Sequence, residues 1–325
     1  MLVVVTGASG HIGANIVREL LIQGYRVRAL VHSSKRALEN LDLEMVEGDI
    51  NNVNSLTRAF AGADFVIHAA GYVSIQENEW DELHRVNVVA TENVVKACKA
   101  CKVKRLVHFS SIEAFDRSDM SLPVDEAFPL VSEGNASPYA YSKMLSEKII
   151  RDEIEKGFDA VILNPTSIIG PFDFKKGKVT QALIDLCKGK YPILVQGEAD
   201  WVDVRDVAQA AITALTRAPA GSRYLISGTR VDLESFSGMI DALLAKPRNR
   251  IYLPIWLVRL FLPLASFYFT ALGKESLITT TSLDALAGNW QISHSKAEFG
   301  LDYHPRPFAD TMKDTVSWLK QAGLI

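Results

Sequence analysis

The chain has only three cysteines in 325 residues, too few for a disulfide framework. Cys98 and Cys101 make a C-x-x-C, but no second pair follows, and two thiolates alone do not complete a zinc site. They read as an inert pair on a helix over 94–100, with redox or metal use as the alternative. No metal site is expected. An excess of one charge is lacking too: 35 Lys and Arg stand against 38 Asp and Glu, a formal net charge of −3. Without a Lys/Arg-rich block or basic-aromatic interleaving, nucleic acid is not expected as a partner. Nor is there room for a signal peptide ahead of an apolar run that starts at Leu2, so a cytoplasmic location is expected. What the chain does have is 48% hydrophobic residues, enough for a large core in one big domain or two cooperating lobes.

The opening stretch organises the rest. Residues 2–5 are a mostly β-branched apolar run of the kind that forms a buried central strand. The run breaks into Gly7, Gly10 and Gly13, then resumes at helical spacing with Ile16, Val17, Leu20 and Leu21 as far as Gly24. Gly7 permits the tight turn off the strand, Gly10 lets backbone approach a pyrophosphate, and Gly13 allows close packing of helix on sheet. Phosphates would then face unpaired N–H groups at the positive end of the helix. The strand–turn–helix context is what a dinucleotide-binding motif requires, so dinucleotide binding is preferred over a plain turn.

Further strands are predicted over 25–31, 43–50, 64–71 and 105–109, with helices over 53–61 and 81–100 between them. This alternation predicts a doubly wound parallel sheet with a ligand crevice at the carboxyl ends of its strands. Gly7, the run Ala69-Ala70-Gly71 and the pair Ser110-Ser111 fall at such ends, and Asp49 falls near the adenine. His68, at the end of a buried strand, reads as structural. An acidic residue after the second strand would bind the adenosine ribose and repel a 2′-phosphate. This chain has His32-Ser33-Ser34-Lys35-Arg36 there: two hydroxyls, two cations and no carboxylate. That is a cradle for the 2′-phosphate of NADP; a solvated loop is the alternative, and NAD stays open.

Tyr139 and Lys143 stand at i and i+4 on a helix opened by Ser137-Pro138, so they share one face, about 6 Å apart along the axis. A cation that close favours the phenolate. Bringing a tyrosine from about 10 to near 7 takes roughly 4 kcal/mol, within reach of a partly buried cation plus an oxidised nicotinamide. Such a phenol trades protons with a carbonyl or carbinol oxygen, and a serine at a neighbouring strand end can hold that oxygen. Together with the glycine turn, these residues point to hydride transfer at carbon coupled to proton transfer at oxygen.

The motifs Thr6-Gly7-Ala8-Ser9-Gly10-His11-Ile12-Gly13, Gly48-Asp49-Ile50, His68-Ala69-Ala70-Gly71, Val86-Asn87-Val88, Phe109-Ser110-Ser111, Tyr139 to Lys143, Asn164-Pro165 and Gly170-Pro171 extend through most of the chain. In them the sequence resembles the extended short-chain dehydrogenase/reductases, a family holding nucleotide-sugar epimerases, dihydroflavonol reductases and 3β-hydroxysteroid dehydrogenases. The resemblance implies an α/β fold: a doubly wound parallel (Rossmann) sheet with a smaller, mainly helical C-terminal substrate lobe. Residues 1–165 and 204–228 would form the dinucleotide domain, and 166–203 with 229–325 the substrate lobe. It implies that Tyr139 is the acid/base and that Lys143 anchors the nicotinamide ribose while lowering the tyrosine pKa. Ser111 takes the serine role, by position relative to Phe115, with Ser110 as fallback. Cofactor contacts are carried over to Gly7, Ser9, Gly10, His11 and Ile12, to Asp49 and Ile50, to Ala69, Ala70 and Gly71, and to Tyr139, Lys143 and Pro165. Tyr141 becomes a lining residue, Asn87 a backbone brace, and a homodimer forms through the helices containing 81–100 and 139–154.

Departures from the family pattern choose a branch. Thr166-Ser167-Ile168-Ile169-Gly170-Pro171 stands where nucleotide-sugar members have an asparagine before Tyr-Gly-Pro, and Ala199 stands where they have a pyrophosphate-binding arginine. Losing that bidentate contact removes much of the affinity for a nucleoside diphosphate. Ser110-Ser111-Ile112-Glu113 and Asn164-Pro165-Thr166 resemble the reductase and hydroxysteroid branch instead. The leading expectation is an NADP-dependent reductase/dehydrogenase for an apolar carbonyl or secondary alcohol. A nucleotide-sugar epimerase/dehydratase and a non-catalytic cofactor sensor are the alternatives. Asp203 and Asp206 read as turn and cap residues. The apolar stretch 251–269, interrupted by Pro254, Arg259 and Pro263, reads first as a buried or pocket-lining helical pair. A weak membrane-surface contact comes second and a transmembrane anchor last.

Overall fold

The computed structural model describes residues 1–32, 34–271 and 279–325, with backbone alone over 264–271. The strands are β1 (Leu2–Thr6), β2 (Arg26–Val31), β3 (Glu44–Glu47), β4 (Phe65–His68), β5 (Arg105–Phe109) and β6 (Ala160–Pro165), then β7 (Ser167–Ile169), β8 (Ile193–Val195), β9 (Glu198–Asp203), β10 (Arg223–Ile226), β11 (Thr229–Asp232) and β12 (Ile251–Leu253). Helices α1 (His11–Ile22), α2 (Val53–Phe60), α3 (Trp80–Leu83), α4 (Ala90–Ala100) and α5 (Pro138–Glu155) connect the first six strands. After them come α6 (Lys178–Cys187), α7 (Val204–Ala214), α8 (Leu233–Leu244), α9 (Ile255–Ala271), α10 (Thr280–Ala287), α11 (Ser295–Leu301) and α12 (Phe308–Gln321).

Seven strands form one parallel sheet in the order β3-β2-β1-β4-β5-β6-β10. Side chains alternate along a strand, so Val3 and Val5 of β1 enter one core and Val4 the other, all without solvent exposure. The first core takes in Ile16 and Leu20 of α1 and Val207 and Ala211 of α7; the second takes in Leu56 of α2, Val94 of α4 and Ile150 of α5. Helices on both faces make the fold a doubly wound α/β sheet. Chain order reverses between β1 and β4, and that switch point is where such sheets open a crevice. Two small sheets, β11-β9-β7 and β12-β8, lie apart from the large one. A third core of Ile169, Leu183, Phe236, Ile240, Met312 and Trp318 joins them to α6, α8 and α12.

Two expectations about elements are corrected. The stretch 81–100 is not one regular helix: a π-helical turn, His84–Val89, separates α3 from α4, and the Ala90 N–H donates to the Arg85 carbonyl five residues back. The stretch 251–269 is not a pair of helices, and none of residues 251–263 is buried. β12 adds to β8, and the single helix α9 carries Pro263 in its interior. Trp256, Leu260 and Phe261 are 67%, 66% and 54% exposed. The reason is that α6, α8 and α12 already fill the third core, leaving this apolar face without a partner among the described residues. No helix among the described residues is long and apolar enough to cross a membrane.

Candidate active site

At the end of β1 the backbone leaves no room for side chains. Gly7 has φ +68°, and a Cβ there would lie 2.5 Å from the Ala70 nitrogen. A Cβ on Gly13 would lie 2.2 Å from the Gly7 carbonyl oxygen, whereas one on Gly10 meets only that oxygen, at 3.2 Å. No side chain caps α1. A glycine turn leading into an uncapped helix start fits the pyrophosphate of a dinucleotide. Ser9 is buried in the turn, and Ile12 packs on the first core. The His11 side chain departs from a cofactor role: its Nε2 donates to the carbonyls of Gly170 and Pro171, each at 3.2 Å. Burial lowers its pKa despite the nearby Asp173, so the neutral ring clasps the segment after β7.

The adenosine end differs in detail from the expectation. His32 is exposed, and Ser33 lies outside the described residues. Lys35 pairs at 2.6 Å with Glu47, a carboxylate that the parallel register of β2 and β3 brings alongside. The loop is therefore not free of acid, although an exposed pair of this kind is weak. Arg36 lies 5.9 Å from the centre of the Phe174 ring. The Asp49 carboxylate accepts the Asn51 N–H at 2.9 Å, and Ile50 packs on the second core. Ala69 donates to the Thr6 carbonyl at 3.2 Å, which holds Ala69, Ala70 and Gly71 against the glycine turn.

The reacting groups converge next to that turn. Ser137 caps α5 by accepting the Ala140 N–H at 3.2 Å, and Pro138 begins its first turn. From the same helix Tyr139 hydrogen-bonds Ser111, whose hydroxyl also accepts the Glu113 N–H at 3.2 Å. Ser110 is buried and its hydroxyl has no hydrogen-bond partner among the described residues. The Lys143 ammonium donates to the Phe109 carbonyl at 2.6 Å, and a Cβ on Gly71 would lie 3.9 Å from it. Ser111, Tyr139 and Lys143 are thus together at the ends of β4 and β5. Asn87 braces them: it accepts the Tyr72 N–H at 2.8 Å and donates to the Tyr72 carbonyl and the Ser142 hydroxyl, both at 2.9 Å. Tyr141 stacks on Trp80 instead of facing the reacting groups, with ring centres 5.6 Å apart, and Pro165 is buried at the end of β6.

Burial dominates the electrostatics of the reacting groups. Desolvation pushes the Tyr139 phenol up to about 12; the Ser111 hydrogen bond opposes that shift and the Glu113 carboxylate adds to it. Burial also pushes the pKa of Lys143 down to about 8, and its ammonium is turned to the Phe109 carbonyl. Sequence reasoning also missed Glu147, one further turn along α5 and fully buried, although the i, i+4, i+8 spacing was available as a signal. Burial raises the pKa of both Cys98 and Cys101, so neither thiol is activated.

A family model described as the NAD dependent epimerase/dehydratase family matches residues 3–227. The chain belongs to that family. Sterol demethylase protein B of Methylococcus capsulatus is 30% identical over 331 aligned positions, with 100% of each chain covered. A candidate dihydroflavonol 4-reductase of Synechocystis is 29% identical, with 99% of this chain and 95% of that one covered. The solved dTDP-glucose 4,6-dehydratase of Streptomyces venezuelae, with NAD and TYD bound, has the same fold at a TM-score of 0.81 and 23% identity, covering 99% and 97% of the two chains. This epimerase/dehydratase family member is an extended-type oxidoreductase of the dihydroflavonol reductase-like branch, and its cofactor is of the nicotinamide type.

Proposed function

We propose that this enzyme is an NADP-preferring reductase/dehydrogenase that moves hydride between the nicotinamide and an apolar carbonyl or secondary alcohol. The convergence of Ser111, Tyr139 and Lys143 beside the glycine turn carries the reading. A bound nicotinamide supplies or takes the hydride. Ser111 holds the substrate oxygen, and the Tyr139 phenol, protonated throughout the neutral range, donates its proton to that oxygen. Lys143 stabilises the phenolate left behind and holds the ribose. Gly7, Ser9, Gly10 and the backbone of His11 and Ile12 would hold the pyrophosphate, and Asp49 and Ile50 the adenine side.

The preference for NADP is supported by His32, Lys35 and Arg36 after β2, with the Glu47 pair as a small opposing influence. An apolar substrate is supported by the sterol and dihydroflavonol names of the two relatives and by Ala199, buried among Ile112, Phe115 and Trp290 where a phosphate-binding cation would be needed. We assign residues 1–165 and 204–228 to cofactor binding and 166–203 with 229–325 to the substrate. A homodimer through the helices containing 81–100 and 139–154, a cytoplasmic location and a weak membrane-surface contact through 251–269 belong to the same proposal.

Titration with NADPH and NADH, followed by a panel of carbonyl compounds, tests this directly. NADPH is expected to bind more tightly and to be consumed. Redox-neutral turnover of a sugar nucleotide would favour the epimerase instead. Tyr139→Phe should lower turnover by about 10³-fold with NADPH affinity unchanged. Undiminished turnover in that variant refutes the assigned role.

A further inference from the structure

Glu147 is a buried carboxylate that the reaction scheme does not use. Its side chain has no solvent exposure, and it sits one helical turn beyond Lys143 on α5. One carboxylate oxygen accepts from the Arg223 guanidinium on β10 at 2.7 Å. The other accepts from the Asn164 amide on β6 at 2.8 Å, and that same amide nitrogen donates to the Ser111 carbonyl at 3.1 Å. Arg223 is fixed in turn by the Glu126 carbonyl and lies 4.7 Å from the centre of the Phe115 ring. Withdrawing a carboxylate and a guanidinium from water is a stability cost that their mutual attraction often fails to recover. Stability alone therefore does not account for the pair.

We propose that Glu147 is a positioning residue that keeps the Lys143 ammonium charged in a buried site and, through Asn164, holds the Ser111 strand end in register with Tyr139. The proposal rests on the hydride-transfer reading above. The groups facing Lys143 are His68 from β4, His108 from β5, and Tyr139 and Glu147 from its own helix. Burial holds both imidazoles neutral, His68 at about 3 and His108 well below its usual value. Glu113, balanced by Arg117, acts on Tyr139. Among the described residues Glu147 is therefore the anion that acts on the ammonium, and it opposes the burial that drives Lys143 down to about 8. Without it, the lysine loses its proton at lower pH.

Glu147→Gln keeps the shape and the bond from Asn164 but removes the charge. In protein labelled with carbon-13 at the lysine ε-carbons, the Lys143 resonance is assigned by its loss in Lys143→Met, and its shift gives the titration midpoint directly. The midpoint is expected to fall by about one pH unit or more in Glu147→Gln. Glu147→Asp, which retains the charge, should move it by a smaller step. The alkaline limb of kcat/KM should move in the same direction. If Glu147→Gln alone fails to fold, Glu147→Gln combined with Arg223→Gln leaves no unpaired guanidinium and is read in the same way. A midpoint equal to wild type in the folded charge-free variant overturns the proposal, as does a shift in Glu147→Asp as large as in Glu147→Gln. A shifted resonance in a protein without carbonyl turnover fails only the hydride-transfer reading; turnover with an unmoved resonance fails only this one.

Discussion

Lys143 is held where a cation is expensive. Its ammonium is buried, its pKa lies near 8 instead of 10.5, and it donates to a neutral carbonyl, that of Phe109. Between those two pH values the unfolded chain holds a proton that the folded one has released, so this group's contribution to stability rises as pH climbs through the window. Below about pH 8 the full penalty applies, roughly 3 kcal/mol. Lys143→Met should therefore stabilise the fold near neutral pH by up to about that amount, while turnover is lost. Urea melts at pH 7 and pH 10 check this; a gain that does not shrink at the higher pH contradicts it. Tyr139 and Lys143 were legible in the sequence because one helix fixes both. Glu147 lies on the same face, yet its partners Asn164 and Arg223 come from strands 17 and 76 residues away, and no local spacing reveals them.

Among the elements, the glycine turn was the most legible, since strand, turn and helix are contiguous. Two of its glycines separate folding from binding. A Cβ on Gly13 would meet the Gly7 carbonyl oxygen at 2.2 Å, and backbone cannot move aside as a side chain does. Gly13→Ala is expected to lose about 3 kcal/mol or more of stability together with dinucleotide binding. Gly10→Ala meets that oxygen at 3.2 Å, so the fold should survive while NADPH affinity falls. Thermal melts and cofactor titrations of the two variants separate these outcomes; equal loss of stability in both would contradict the argument. The π-helical turn His84–Val89 was not legible, because the apolar spacing of 81–100 fits a regular helix. What widens that turn is tertiary: Asn87 is tied to Tyr72 from the loop after β4 and to Ser142 from α5.

For the whole molecule, the exposed apolar face of α9 is a feature without a partner among the described residues. Trp256 and Leu260 lie one turn apart and Phe261 beside them, with Arg259 paired to Asp284. A helix face of this kind suits the boundary between lipid headgroups and acyl chains. Replacing Trp256 and Phe261 by serine should weaken co-sedimentation with vesicles of phosphatidylcholine and phosphatidylglycerol by about tenfold or more. Reduction of a water-soluble carbonyl should not change. Equal sedimentation of wild type and variant would remove the membrane contact from the proposal.

The sequence by itself determined the alternation of strands and helices, the glycine turn and the Tyr139–Lys143 pair, since each is set by residues close together in the chain. Only the tertiary structure decided which charges surround the reacting groups. It turned His11 onto Gly170 and Pro171, brought Glu47 to Lys35, raised Tyr139, and left Trp256, Leu260 and Phe261 exposed. Desolvation and cross-strand partners belong to the packed molecule, because the pKa of a side chain depends on what the whole fold places around it.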